Sequence, residues 1–537
     1  MMRPMDLIIV NADVRTMEVN TSPAHPPPTA VAVKGNRISH VGSTEDILPL
    51  ASRKTRVIDA KRKLLLPGFN DAHVHFLDGG FSLANVNLRD ASTIDEFVRR
   101  IRVHAETLPA GKWITGGEWD HENWPGTPLP RREMIDAVTP DNPVMVTRTD
   151  GHMALANSLA LKLAGMTRQS RDVPGGFIVR DPSTGEPTGI LKDAAMEAVT
   201  RVIPKTSPDE QRAAARLATN YAASLGVTSV HDVLAGDALG IYRALAEEGE
   251  LKTRIYAMYP IARWQEVIHN FDHSLIHTGA VKGFSDGSLG SATAWFFEPY
   301  LDDLKNCGLP GDQMFPEGAM LERVMASDKA GLQVAMHAIG DRANSEILDM
   351  FSAVAKANGK RDRRFRIEHA QHLRSCDIPR FGRQQVIASV QPYHAIDDGR
   401  WCEPRLGPQR LEGTYAFRSL LDTGAVLALG TDWTVAPLNP LLTLDAAVNR
   451  RTLDGKHPNG WLPAQKISVE KAVRAYTVGS AMAEFSDHEK GTVASGKLAD
   501  LVLLDRNIFN GNPIEIRDAR VVLTVLDGQV VWAAEGI

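Results

Sequence analysis

Cysteine is scarce: in 537 residues only Cys307, Cys376 and Cys402 occur. They form neither a CxxC pair nor an even framework, which argues against a zinc–thiolate site and against a disulfide scaffold. A basic excess is also missing. With a formal net charge of -5, no positive field gathers phosphate backbones or anionic lipid, so nucleic acid is not an expected partner. No apolar run approaches the roughly 20 residues needed to span a bilayer, and membrane association is not expected. The start leads directly into Leu7-Ile8-Ile9-Val10, without the basic segment and longer apolar stretch of a secretory leader. A reducing cytoplasm is the expected setting. No fixed repeat period is visible, which excludes a solenoid.

What is present is enough apolar residue, 43%, for one large core and a smaller satellite. Both ends read as short strands, among them Leu7–Val10, Ala30–Val33, Leu501–Leu504 and Val521–Val525, punctuated by turns such as Gly35-Asn36 and Asp527-Gly528. The two ends can pair into one β-domain. Between them, β-rich apolar runs alternate with helical stretches such as Pro208–Leu225 after Ser207, the pattern of βα units around a parallel sheet. The expected barrel strands are Leu65–Phe69, Val144–Arg148, Thr228–Val230, Ala280–Phe284, Gln333–Met336, Phe365–Ile367, Val386–Val390 and Val426–Leu429. Polar clusters follow their C-terminal ends, where barrel enzymes assemble their sites. Residues 76–140 and 160–190 are too long for simple βα connections. The second contains a hairpin pattern around Asp181–Glu186.

The chemistry-bearing residues lie at those strand ends. In Phe69-Asn70-Asp71-Ala72-His73-Val74-His75 the two histidines share one face of an extended chain, an arrangement suited to a divalent metal such as zinc. An HxH pair alone also arises by chance on solvated edges. His337 ends the run Leu332–Met336, His369 follows Phe365–Glu368, and Asp432 follows Val426–Thr431. Singly, each histidine reads equally as a core residue satisfied by a carbonyl, and Asp432 as a helix N-cap. Lys282 stands in the apolar strand Ala280–Phe284, where desolvation favours the neutral amine. Such an amine can capture carbon dioxide as a carbamate or instead pair with a carboxylate such as Asp286; spacing leaves both open.

Together these residues match a known pattern. The sequence resembles the amidohydrolase superfamily, specifically amidohydrolase family 3, the N-substituted formamide deformylase-like branch, along nearly the whole chain. The likeness rests on Pro67–His75, Arg148–His152, Gly226–Asp232, Lys282–Ser291, His337–Asp341, Ile367–Gln371, Gly430–Asp432 and Gly491–Leu501. It implies an α/β fold: a distorted TIM (β/α)8 barrel over residues 65–485, with a small β-sandwich built from residues 1–64 and 486–537. It also implies one metal on His73 and His75, a second on His337 and His369, Lys282 as a carboxylated bridge, and Asp432 as ligand and general base. The cofactor is then one or two divalent ions, zinc first, with manganese or iron compatible with the same donors.

The activity expected is hydrolysis of a C–N bond in an amide, N-formyl or cyclic amide. Ester or other acyl hydrolysis on the same site, and a catalytically silent regulatory protein that keeps the barrel, are the alternatives. His152 and His231 are candidates to steady the carbonyl oxygen or leaving group. Asp150, Asp286 and Asp341 are candidates to orient ligands. Trp119, Asp120, His121 and Trp124 read either as a pocket wall or as an aromatic anchor for the first insertion. Tyr393 and His394 stand at a loop mouth. A small molecule is the expected partner and a homodimer the suggested assembly.

Overall fold

In the computed structural model, which describes residues 5–19, 26–124, 126, 129–267 and 273–537, eight parallel strands wind in strict chain order. They are β1 (Phe69–Val74), β2 (Val227–Val233), β3 (Arg254–Pro260), β4 (Ile276–Phe284), β5 (Gln333–Ala338), β6 (Arg366–His369), β7 (Ile387–Val390) and β8 (Leu427–Leu429). Nearly every strand residue is buried, as expected of strands covered on both faces by helices and barrel interior. The helices around them carry their own start signals. Pro208–Ser224 opens with a capping box in which Ser207 and Glu210 satisfy each other's backbone N–H groups, and it lays Ala215, Ala218 and Ala222 on the barrel core.

The barrel closes between β8 and β1 through a short parallel bridge, Val74 to Trp433. The His75 N–H donates to the Trp433 carbonyl at 2.6 Å and the Asp432 N–H to the His73 carbonyl at 2.7 Å. Gly430 permits that approach: a side chain there would meet His73 N at 2.7 Å. Asp71 ties the same seam, accepting from the Thr431 N–H at 2.9 Å and from the Tyr476 hydroxyl at 2.6 Å.

The ends of the chain meet in two sheets. One orders Arg37–Gly42, Ala30–Lys34, Leu7–Val10 and Arg56–Asp59; the other orders Asp13–Val14, Leu64–Pro67, Leu501–Leu504, Val521–Leu526 and Gln529–Ala533. Leu7, Ile9, Val31 and Val33 of the first share a core with Leu65, Leu501, Leu503 and Val525 of the second. This is the expected sandwich from both termini.

Two expected barrel strands belong elsewhere. Leu64–Pro67 pairs with Leu501–Leu504 in the sandwich, and the first barrel strand begins only at Phe69, after Gly68 breaks the run. Met145–Arg148 is a strand, but it lies in a separate six-stranded sheet ordered Gly176–Arg180, Pro187–Asp193, Met153–Ala156, Met145–Arg148, Gly116–Trp119, Val86–Asn87. It runs parallel to Gly116–Trp119, so its local pattern imitates a barrel strand. β3 takes its place in the barrel, and no charged or metal-ligating residue marks its C-terminal end. Both over-long stretches contribute strands to this inserted sheet, the second of them through the hairpin Gly176–Arg180/Pro187–Asp193.

Candidate metal centre

The seam between β1 and β8 places three of the expected residues together. His73 and His75 direct their Nε2 atoms to Asp432 Oδ1, at 3.5 and 3.4 Å. Asp432 also faces His369 and His394, so the described donors form two triads that share this carboxylate: His73, His75, Asp432 and His369, His394, Asp432. Backbone strain accompanies the arrangement, with φ of 57° at Asp432 and 74° at His369, a conformation non-glycine residues adopt where surrounding contacts enforce it.

Whether a cation fits is tested by the atoms left over. His73 Nε2, Lys282 Nζ, Asp432 Oδ1 and His394 Nε2 are all buried and have no hydrogen-bond partner among the described residues. Buried polar atoms are ordinarily paired. Here the unpaired set consists of imidazole nitrogens, a carboxylate oxygen and an amine, and it fits a divalent cation.

Outer contacts fix the ring directions. His73 Nδ1 lies 2.6 Å from Glu368 Oε2, and His369 Nδ1 lies 2.8 Å from Gln391 Oε1, leaving the opposite nitrogens free. Burial, with the nearby Lys282 charge, lowers the His73 pKa to about 4, so the ring is neutral at ordinary pH. Burial lowers His369 and His394 as well. Asp432 goes the other way: burial would raise it, but His73, His75 and His369 hold it well below the usual carboxylate range. Lys282 is lowered to about 8 by burial, against the pull of Glu368 and Asp432. Its ammonium rests 4.2 Å from the centre of the Phe284 ring, and Asp286 is turned away to other partners.

His337 stands beside this group without joining either triad. Its ring centre is 4.5 Å from that of His369, while its Nε2 lies 3.0 Å from the Gly287 carbonyl and 3.4 Å from Asp286. Asp286 in turn accepts backbone N–H bonds from Ile339, Gly340 and Trp295. Asp341 accepts from the Phe297 N–H and does not line the cavity.

A cavity with room for about 50 Å³ of solvent opens over Asp432, His337, His369 and His394. The inserted sheet supplies its opposite wall through Asp120, Arg148, Asp150 and His152. Arg148 bonds Asp120 and Asp150, each at 2.7 Å. His152 Nδ1 is held 2.6 Å from Asp193 Oδ1. Burial works against the charged His152 ring, yet Asp193, Asp150 and Asp286 raise its pKa to about 9.

Three expected residues lie elsewhere. His231 is fully buried inside the barrel between Arg366 and Glu484 and does not line the cavity. Alternation along β2 turns it inward, away from the loops. Trp119 stacks on Trp124 at 15° and 6.3 Å, donating its indole N–H to the Val146 carbonyl; both rings belong to the core of the insertion. Tyr393 is half-buried outside the lining, and its neighbour His394 faces the cavity instead. His394, Glu368 and Arg148 are the residues sequence reasoning undervalued. The signal for Glu368 was its place next to His369, a carboxylate in a strand with no solvated face.

Comparison with known proteins places these features in a wider set. An amidohydrolase family model matches residues 56–532. The chain is 40% identical to Protein LONG AFTER FAR-RED 3 of Arabidopsis thaliana over 98% of this chain and 91% of that one. It is 28% identical to the N-substituted formamide deformylase of Arthrobacter pascens over 99% of both. Among solved structures, a metal-dependent hydrolase from Pyrococcus horikoshii superposes with a TM-score of 0.75 at 27% identity, over 94% of this chain and 99% of that one.

Proposed function

Because the chain belongs to amidohydrolase family 3, we propose that it is a metal-dependent hydrolase of C–N bonds in small amides, N-formyl amines or cyclic amides. The observation that carries this reading is the convergence of unpaired buried donors, His73 Nε2, Lys282 Nζ, Asp432 Oδ1 and His394 Nε2, below a cavity walled by the insertion. His73, His75 and Asp432 would hold a divalent ion, zinc by donor preference, and His369 and His394 with Asp432 a second. A cation held there would lower the pKa of a bound water toward about 7 and polarise the substrate carbonyl.

The protein's own groups then divide the proton work. Asp432, ionised and poised between the two triads, accepts the proton of the attacking water and returns it to the departing nitrogen. His152, held by Asp193 and facing the cavity, steadies the carbonyl oxygen or the leaving group. Lys282, as an amine or as its carbamate, adjusts the charge at the centre. His337 supports His369 from the side.

The Arabidopsis relative carries a name that describes no reaction, which keeps a silent regulatory role as the second reading. Zinc-loaded protein offered N-formyl amines, N-acyl amino acids and aryl esters separates the readings. Turnover of the amides supports the proposal; turnover of esters alone transfers it to ester hydrolysis; no turnover by metal-loaded protein supports the silent form.

A further inference from the structure

Inside the barrel, below the metal centre, runs a series of buried polar contacts, hydrogen-bonded except at the longer, electrostatic step from His231 to Glu484. Glu368 Oε2 lies 2.6 Å from His73 Nδ1. Arg366 donates to Glu368 Oε1 at 2.8 Å, to the Ala72 carbonyl at 2.6 Å, and to His231 Nδ1 at 2.7 Å. The far nitrogen of His231 faces Glu484 Oε1 at 3.5 Å. Glu484 pairs with Lys490 at 2.7 Å and accepts from Asn70 at 2.6 Å, and Lys490 donates to Ser229 at 2.5 Å. Arg366, Glu368 and His231 are wholly buried, and Glu484 and Lys490 expose no more than 6%.

Donor and acceptor roles along this series follow from chemistry alone. A guanidinium only donates, so His231 Nδ1 accepts and the ring proton belongs on Nε2, facing the Glu484 carboxylate. An ionised carboxylate only accepts, so His73 carries its proton on Nδ1 and donates it as a hydrogen bond to Glu368. His73 Nε2 is therefore left with its lone pair directed at the Asp432 side of the site. Two carboxylates, Glu368 and Glu484, are balanced by two cations, Arg366 and Lys490, with a neutral histidine between. A buried set of this kind persists only when complete, because removing one member strands its partner's charge.

We propose that this relay is a positioning device which sets the tautomer and direction of His73, so that the Glu484–Lys490 pair, which touches no donor of the metal centre, governs how tightly that centre holds a divalent ion. His231 is then a positioning residue, not a catalytic one. The proposal rests on the metal-site reading above.

The test titrates metal-free, full-length protein with Zn²⁺ against a chromophoric chelator. Glu368→Gln is expected to weaken zinc binding about 10- to 100-fold, the usual effect of losing an outer partner of a ligating histidine. Lys490→Met is expected to weaken it several-fold, Lys490→Arg to restore it, and the visible spectrum of the Co²⁺-substituted protein to change in Lys490→Met alone of these two. A control separates this from general loosening. Arg254 makes an equally buried ion pair with Asp500, at 2.7 Å, outside the relay; Arg254→Met should lower the melting temperature and leave zinc affinity within about twofold of wild type. If Lys490→Met does not fold, Glu484→Gln takes its place. Equal zinc affinity in wild type, Glu368→Gln and the Lys490 or Glu484 variant overturns the relay, as does an equal loss in Arg254→Met. Wild type that takes up no zinc overturns the metal-site reading, and the relay with it.

Discussion

At the mouth of the barrel, buried imidazole, carboxylate and amine atoms lack protein partners; a few residues below, in the barrel interior, each carboxylate faces a cation at 2.7–2.8 Å. Both regions are desolvated, and the same chain builds them. Every charge of the interior series is paired, and only His231 Nε2, 3.5 Å from Glu484, and Asn70 Oδ1 lack a hydrogen bond there among the described residues. The mouth is left incomplete, which is costly unless something else completes it. That asymmetry distinguishes a site from a scaffold more sharply than the histidine count of either region.

The largest effect expected from breaking the mouth is at Asp432. Asp432→Asn should lower kcat by about 10²- to 10⁴-fold, the range for losing an acid–base group, while bound metal falls much less. Steady-state kinetics on an N-formyl amine beside metal analysis checks both halves.

Stability should follow the opposite map. In metal-free protein, Lys490→Met strands Glu484 and is expected to cost about 3–5 kcal/mol in denaturant unfolding. Lys282→Met removes an ammonium with no hydrogen-bond partner and should cost nothing, or raise stability, while abolishing turnover. Equal losses at the two lysines would erase the distinction between the regions.

The insertion offers a smaller contrast. Trp119→Ala should destabilise the inserted sheet by about 3–5 kcal/mol through the cavity it leaves, yet KM measured well below the melting point should stay within about twofold of wild type. Asp120, adjacent in sequence, lines the cavity and braces Arg148, so Asp120→Asn should raise KM several-fold. The smallest effect belongs to Tyr393→Phe, with kcat/KM changed by less than about twofold.

How much of this was legible in the sequence depended on range. Motifs that end a strand in a donor, such as Asp71-Ala72-His73-Val74-His75 and Gly430-Thr431-Asp432, carry both the strand signal and the chemistry within a few residues, so barrel and ligand candidates were readable. β3 was missed because its end, Met258-Tyr259-Pro260-Ile261-Ala262, carries no metal-ligating residue, and Met145–Arg148 was misplaced because a parallel strand looks the same whichever sheet it joins. His231 and His394 exchange apparent importance for the same reason. His231 follows a strand run yet points down the barrel, whereas His394 opens a short helix, Pro392–Asp398, and reaches the cavity through a turn. The relay was illegible: Glu484 and Lys490 approach His231 from more than 250 residues away, and no local pattern records that.

The central claim is that the incomplete mouth binds a divalent metal. The direct test is elemental analysis of purified protein, before and after dialysis against zinc, with wild type beside a His73→Ala/His75→Ala variant. About one or more equivalents of divalent ion are expected per wild-type chain, with a clear loss in the variant. Wild type that stays nearly metal-free after zinc, or a variant that holds as much as wild type, would contradict it.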